Sequence, residues 1–318
     1  MNFTLKQLTY VQAAADHRSI ASAAQKLRIS ASSIGAAIDG FEQRFEIQIF
    51  VRQPSKGLML TPPGKVLIEK INHLLLEAKT FDAQLSGHDE SLVGELVVGC
   101  FAPITPHILP LIVRAMKSRF PGLIIRILEG DLREVNGFLA SGAAEITLGY
   151  DLGLPEGISF TKLGEVRPHA IFSTSDPLAN RKSVSITELV GPPMILLDLP
   201  ESRTYFDLLF SYVRKTPNIA FRTGTYETVR SLVAAGMGFS ILNLRPAIDQ
   251  TYTGNEVVCV PLEEDLPAPS IGFGFRIRDY ISPAAREFAE ECKRVFATER
   301  VASMFVPQYR GDRILQSV

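Results

Sequence analysis

The sequence has few cysteines and no long apolar run. Its three cysteines, Cys100, Cys259 and Cys292, lie far apart without CxxC or Cys/His ligand spacing, which favours buried thiols in a reducing compartment over a metal or redox role. No apolar segment approaches the length of a bilayer span, and no secretory signal precedes the first helical pattern. We therefore expect a cytoplasmic protein with no metal site and no membrane contact.

An excess of either charge is also lacking. Thirty-three basic and 34 acidic residues give a net charge of −1, which by itself argues against a nucleic-acid partner. The GxSxG, HExxH and Walker signatures are absent, as is GxGxxG after a strand, and the five histidines have no ligand spacing. These absences predict that the protein is not an enzyme and holds no cofactor.

The 318 residues suffice for two or three domains with hydrophobic cores. Apolar residues recur at helical spacing as far as Leu85, and a polar connector follows at 86–91. Beyond it, short β-branched runs alternate with helical patterns, which is typical of α/β units around a largely parallel sheet. The pattern breaks near residue 168 and returns near 268, which predicts two lobes joined by two crossing strands with a cleft between them.

Three short helices occupy the first 45 residues, and Ser19 and Ser30 are good N-caps for the second and third. Two short helices joined by a tight turn predict a helix-turn-helix, although a small helical bundle would give the same pattern. Residues 1–62 carry seven basic and four acidic groups, a net of +3, and so leave −4 for the remainder. A basic module inside a neutral chain favours phosphate contact.

Two predicted strands, 47–52 and 56–61, surround a basic tip and form a wing. Pro62 and Pro63 then begin a helix that extends to about residue 85. Its apolar residues repeat every 3.5 residues on average, which predicts a coiled-coil dimer seam, with a helix packed on its own domain as the alternative. The seam consists of Leu67, Ile71, Leu74, Ala78, Phe81 and Leu85.

These features together resemble the LysR-type transcriptional regulators. The N-terminal likeness rests on the alanine-rich segment 19–27, on Phe50-x-Arg52 and on the Leu60-Thr61-Pro62-x-Gly64 motif. The motifs at 94–99, 120–121, 129–130 and 233–238 extend the likeness over nearly the whole chain. The resemblance implies an α/β fold with an N-terminal winged helix-turn-helix, a long linker helix and a two-lobed domain like the type 2 periplasmic binding proteins.

The implied domains are a DNA-binding domain at 1–62, a linker helix and hinge at 63–90, an effector-binding domain at 91–300 and a tail at 301–318. Lobe I comprises 91–167 and 268–300, and lobe II comprises 168–267.

The recognition helix departs from the family pattern, because Ala31-Ser32-Ser33 replaces the usual Gln-Pro-Ala or Gln-Pro-Ser. Base readout is therefore expected from hydroxyl groups and small apolar contacts. Arg18 stands where the family often has glycine, and either contacts a phosphate or only tolerates the turn. The predicted DNA-binding residues are Arg18, Ser30, Ser32, Ser33, Ala36, Arg52 and Lys56.

Effector contacts are expected where strand ends and helix N-termini of both lobes meet. Arg203 and Arg245 favour a carboxylate ligand, whereas Glu129, Asp151 and Asp198 favour an amine or several hydroxyls, and the sequence leaves both open. The predicted effector-binding residues are Cys100, Phe101, Thr105, Glu129, Tyr150, Asp198, Ser202, Arg203, Thr225 and Asn243. For Thr105, helix capping is the alternative to a ligand contact. For His169, a structural role is the alternative to a position in the cleft.

The resulting hypothesis is a transcriptional regulator that binds an imperfect inverted repeat in double-stranded DNA and responds to a small-molecule effector. Self-association into a dimer, and from the resemblance a tetramer, is expected, with RNA polymerase as a further partner. A solute-binding protein without a DNA role is the alternative, because its fold would match that of the second part.

Overall fold

The structure, a computed structural model, describes residues 3–53, 57–85, 92, 94–277 and 280–309. The chain forms two compact units that divide near residue 90. Each unit has its own hydrophobic core, and the second unit has one core in each of its two lobes.

Three helices open the first unit: α1 (Leu5–His17), α2 (Ile20–Leu27) and α3 (Ala31–Phe45). Each begins at a hydroxyl N-cap, since the side chains of Thr4, Ser19 and Ser30 accept from the N–H three residues further on. The helices expected from the two serine caps are thereby confirmed.

A short antiparallel hairpin follows, formed by β1 (Phe50–Gln53) and β2 (Gly57–Leu60). The Glu42 carboxylate joins it to α3 by accepting from the backbone N–H groups of Ile49 at 2.6 Å and Phe50 at 3.1 Å. The predicted wing is therefore present and is anchored to the third helix.

The long helix α4 (Pro62–Leu85) begins where Thr61 Oγ1 accepts from the Gly64 N–H at 3.0 Å. Its residues Ile68, Ile71 and Leu75 are 7%, 3% and 8% exposed and belong to the core of the first unit. This corrects the predicted dimer seam, because Ile71 is already buried by its own chain. Leu74 and Phe81 remain 42% and 63% exposed.

The second unit follows the expected alternation of strands and helices. Its elements are β3 (Gly94–Phe101), α5 (Thr105–Arg119), β4 (Leu123–Gly130), α6 (Leu132–Ala140), β5 (Ile146–Tyr150), β6 (Ile158–Glu165), β7 (His169–Ser173), β8 (Pro193–Leu197), α7 (Pro200–Ser211), β9 (Asn218–Thr223), α8 (Tyr226–Ala234), β10 (Ser240–Leu242), β11 (Val257–Pro261), β12 (Ser270–Arg276), α9 (Pro283–Phe296) and α10 (Glu299–Ala302).

Lobe I contains a five-stranded sheet in the order β4-β3-β5-β12-β6. Strand β3 pairs in parallel with β4 and β5, whereas β12 is antiparallel to β5 and β6. In lobe II, β7 lies between β10 and β11, and β8 pairs in parallel with β9. Because β12 returns to the first sheet after the lobe II strands, the chain crosses between the lobes twice, as predicted.

The C-terminal segment corrects the predicted tail. Val301 and Met304 are fully buried in the lobe I core, and the rings of Phe296 and Phe305 lie 6.4 Å apart. The folded domain therefore continues past residue 300, and residues 310–318 lie outside the described part of the chain. Among the helices described, none is long and apolar enough to cross a membrane.

Candidate functional site

The exposed face of α3 consists of small, uncharged groups around its N-terminus. The Ser30 hydroxyl lies 2.9 Å from that of Ser32 and 2.8 Å from that of Ser33, and all three residues are exposed. Ala36 is exposed one turn further on, and a Cβ at Gly35 would meet nothing within 4 Å. The start of α3 thus presents hydroxyl donors and acceptors on a surface that another molecule can approach closely.

Arg18 connects the end of α1 to the wing through its backbone. It has φ 48° and ψ 26°, the left-handed conformation, and its carbonyl accepts from the Leu58 N–H at 2.8 Å. A Cβ at Gly57 would lie 2.4 Å from that same carbonyl oxygen, so only glycine fits there. The Arg18 side chain itself is exposed.

The other predicted DNA contacts lie in or next to the wing. Arg52 belongs to β1, where the structure describes its backbone but not its side chain. Lys56 lies outside the described residues.

Three of the residues predicted at the strand ends of lobe I belong to its core. Cys100 points to the same side of β3 as Leu96 and Val98, because side chains alternate along a strand, and all three are fully buried. The rings of Phe101 and Tyr150 are buried against each other at 5.3 Å between centroids. These positions are corrected from ligand contacts to core residues.

Thr105 and Asn243 already use their polar groups within the protein. Thr105 is buried and donates to the Phe101 carbonyl at 3.0 Å, while Ile104 occupies the N-cap of α5, so neither ligand contact nor capping describes it. The Asn243 amide donates at 3.0 Å to both the Val166 carbonyl and the Tyr205 hydroxyl. Tyr205 in turn donates to Pro267 at 2.8 Å, so this network holds lobe II to both crossing segments.

The lobe II candidates form a partly neutralised cluster. The Asp198 carboxylate accepts from Arg203 Nε and lies 3.6 Å from Arg222 Nη1. Ser202 is buried in the first turn of α7, and Thr225 is exposed, as is the lobe I candidate Glu129 near the end of β4. The structure therefore brings Asp198 and Arg203 together as an ion pair, which lowers the capacity of this arginine to hold an anionic ligand.

A histidine contact between the lobes was not predicted from the sequence. The ring of His107 on α5 packs edge-on against that of Tyr226 on α8, with centroids 5.5 Å apart. Burial and the nearby Arg230 lower the pKa of His107 to about 4. Burial likewise lowers the pKa of His169 to about 4, in keeping with the structural alternative. Both imidazoles are therefore neutral at physiological pH.

A surface cavity of about 450 Å³, open to solvent, lies where lobe I meets α7 of lobe II. Leu152 and Gly153 form its lobe I wall, and the Asn136 amide donates to the Gly153 carbonyl at 3.2 Å. An ion pair of 3.2 Å between Arg133 and Glu201 joins the lobes at its edge. Cavities of this size accommodate small-molecule ligands. The sequence signal was the set of α7 residues that recur at helical spacing: Glu201, Thr204, Tyr205, Leu208 and Ser211.

A winged helix-turn-helix unit, together with a two-lobed α/β unit that has a cavity between its lobes, defines a ligand-responsive DNA-binding regulator. The family model described as bacterial regulatory helix-turn-helix protein, lysR family, matches residues 5–65, and that described as LysR substrate binding domain matches 89–297. The chain belongs to the LysR family of transcriptional regulators. The helix-turn-helix match leaves the solute-binding alternative without support.

Three relatives illustrate the similarity. The HTH-type transcriptional regulator YnfL of Escherichia coli is 26% identical over 91% of this chain and 97% of its own. The hydrogen peroxide-inducible genes activator of Dickeya chrysanthemi is 24% identical over 86% of this chain and 89% of its own. The crystal structure of HinK, a LysR family regulator of Pseudomonas aeruginosa, is 34% identical with a TM-score of 0.61 and covers 92% of this chain and 98% of its own.

Proposed function

We propose that this regulator binds an imperfect inverted repeat as a dimer, with one α3 helix in the major groove of each half-site. Ser32 and Ser33 approach base edges or phosphates, and Ala36 contacts a thymine methyl group. The observation that carries this assignment is the small, exposed face at the start of α3. Arg18 holds a phosphate, and Arg52 and Lys56 lie near the backbone or minor groove.

Dimerisation through α4 accompanies DNA binding in this proposal. Without Ile71, the predicted seam is still an apolar stripe on α4. In this stripe Leu74 and Phe81 are exposed, and Leu67 and Ala78 are half-buried. Leu85 continues the repeat, although its side chain is outside the described set. The residues that this unit does not bury itself support self-pairing. Further association into a tetramer and a contact with RNA polymerase are part of the same proposal.

The regulator acts in the cytoplasm by binding DNA and not by catalysis. A small-molecule effector bound between the lobes controls its binding to DNA. A ligand shifts the balance between two lobe arrangements only by its difference in affinity for them. Contacts that cross the lobes in the present arrangement, such as Arg133–Glu201 at 3.2 Å, would break if the lobes moved apart. Glu129, Asp198, Ser202, Arg203 and Thr225 stay candidates for effector contacts.

The oxidant response in the name of the Dickeya relative is not proposed for this chain. A peroxide-reactive cysteine needs an accessible thiolate, hence a low pKa. Burial raises the pKa of Cys100 and of Cys259 to about 12, and raises that of Cys292 as well. The signal is therefore assigned to non-covalent binding of a small molecule.

The test compares Ser33→Glu with Thr174→Glu in genomic footprinting and in gel shifts on the site recovered. Both variants place one carboxylate at an exposed hydroxyl position, but Thr174 lies in lobe II. We expect Ser33→Glu to abolish operator binding, because its charge repels the phosphates and its bulk fills the groove, and Thr174→Glu to bind normally. Normal binding by Ser33→Glu, with unchanged circular dichroism, would contradict the recognition-helix assignment.

A further inference from the structure

The cavity between the lobes has an apolar interior and an acidic edge. Leu152 lines it from lobe I and Leu208 from α7, and both side chains are only partly covered by the protein. Leu152 packs against the cores of both lobes. A ligand that lies on these two leucines therefore contacts lobe I and lobe II at once.

The carboxylates at the cavity outnumber the cations. Its lining in the described part of the chain includes the carboxylates of Glu201 and Asp207 and no lysine, arginine or histidine, and Arg133 pairs with Glu201 at its edge. The nearby Arg203 and Arg222 are directed to Asp198. The cavity is thus an unfavourable environment for an anion and a favourable one for a cation.

Glu201 has a free oxygen at the place where the lobes meet. Its Oε1 accepts from Arg133 at 3.2 Å, and no described residue donates to its Oε2. A Cβ at Gly153 would lie 2.9 Å from Oε2, so this oxygen is placed directly over the lobe I wall. The Glu201 side chain is 24% exposed, and a ligand N–H group at Oε2 would not compete with the hydrogen bond from Arg133 to Oε1.

We propose that the effector of this regulator is a small molecule with a protonated amine on an apolar body. The ammonium group donates to Glu201 Oε2, and the apolar part lies between Leu152 and Leu208. Asp207 adds negative potential at the rim. This inference rests on the proposed effector response and assigns the ligand class that the sequence left open between a carboxylate and an amine.

Such a ligand stabilises the arrangement in which Leu152 and Leu208 line the same cavity. It adds an inter-lobe contact beside the Arg133–Glu201 ion pair, and its cation shares the Glu201 carboxylate with Arg133. Differential affinity for this arrangement then biases the regulator toward one state.

The test is calorimetric titration of the full chain with phenylalkylamines of one to four methylene groups and with the phenylalkanoates of equal length. We expect at least one amine to saturate in the low millimolar range or below and to bind at least tenfold more tightly than its matched acid. Glu201→Gln should weaken amine binding about tenfold, as expected for a lost charge-assisted hydrogen bond.

Three further variants complete the design. Asp207→Asn should weaken amine binding two- to threefold, because Asp207 acts only through its field, and Arg133→Gln should strengthen it by removing the competing cation. Leu208→Lys should abolish it by placing a side-chain cation in the cavity. The matched control is Glu156→Gln, since Glu156 is an exposed acid of lobe I that does not line the cavity, and it should bind like the parent.

Any of three results would overturn the inference. A phenylalkanoate could bind as tightly as its matched amine, Glu201→Gln could bind the amine as tightly as the parent, or no amine could reach saturation. Operator gel shifts with the same proteins separate this failure from that of the proposed function. If the parent protein binds its operator but no amine, the proposed ligand class alone is refuted. If the parent protein does not bind operator DNA, the proposed DNA-binding function is refuted.

Discussion

Replacement of Arg18 by glycine should stabilise the protein and weaken its binding to DNA. Arg18 ends α1 at φ 48°, a conformation that costs a non-glycine residue about 1–2 kcal/mol. Its structural contribution is the carbonyl that accepts from Leu58 at 2.8 Å, and a glycine retains this group. The guanidinium is exposed, so its loss opens no cavity.

The net gain follows from two opposing effects. Relief of backbone strain is partly offset by the greater freedom of glycine in the unfolded chain, which costs about 0.5–1 kcal/mol. We expect Arg18→Gly to raise the free energy of unfolding of the DNA-binding unit by about 0.5–1 kcal/mol, measured by urea denaturation.

Operator binding should change in the opposite direction. Each protomer of the dimer loses one phosphate contact, which together removes about 1.8 from the slope of log K against log salt and lowers the affinity about 30-fold near 0.15 M salt. Fluorescence anisotropy at several salt concentrations measures both quantities. Arg18→Lys is the control, because it keeps the charge and should bind normally.

The salt slope tests the phosphate contact of Arg18, and the unfolding free energy tests its backbone strain. An unchanged salt slope in Arg18→Gly would refute the phosphate contact and leave Arg18 as a residue that only tolerates the turn. A loss of stability would refute the strain argument.

The remaining predictions concern the dimer and the thiols. Phe81→Glu should dissociate the dimer at micromolar concentration while keeping the fold, because Phe81 is exposed and the change buries a carboxylate only in the assembly. Ile71→Glu should instead unfold the first unit, since Ile71 is 3% exposed in its core, and light scattering with circular dichroism distinguishes the two outcomes. Hydrogen peroxide at low concentration should leave operator affinity unchanged for the parent and for Cys259→Ser alike, because the pKa of Cys259, raised to about 12 by burial, keeps it protonated. A shift in the parent that disappears in the variant would contradict the assignment of the signal to non-covalent binding.

The position of α4 illustrates the limit of sequence reasoning. Ile71 and Leu74 are both apolar and both fit a 3.5-residue repeat, so periodicity assigns them to one seam. The folded unit buries Ile71 against its own core and leaves Leu74 42% exposed. Only the position of the winged helix relative to α4 separates the two residues.

Strand β6 shows a second limit. Ile158–Glu165 lies at the edge of the lobe I sheet, and all eight of its residues are exposed or half-buried. Apolar and polar residues alternate only over 158–161, before a register shift in the pairing with β12, and so short an alternation does not predict a strand of eight residues.

By itself the sequence determined the local structure and the class of the protein. Serine caps located the starts of α2 and α3, alternating patterns located most strands, and family motifs predicted the two-unit architecture. The net charge of −1 divides into +3 for residues 1–62 and −4 for the remainder, and this division located the basic module. These features depend on residues that are close together along the chain, so the sequence contains the information that specifies them.

Only the tertiary structure decided which of the chemically suitable residues are available to a partner. Cys100, Thr105 and Asn243 have side chains that could contact a ligand. The thiol of Cys100 is instead buried in the core, and the side chains of Thr105 and Asn243 donate hydrogen bonds within the protein. Glu201 and Leu208 line the cavity because two lobes distant in sequence meet beside α7. Burial and hydrogen bonding depend on contacts between distant segments, which periodicity does not specify.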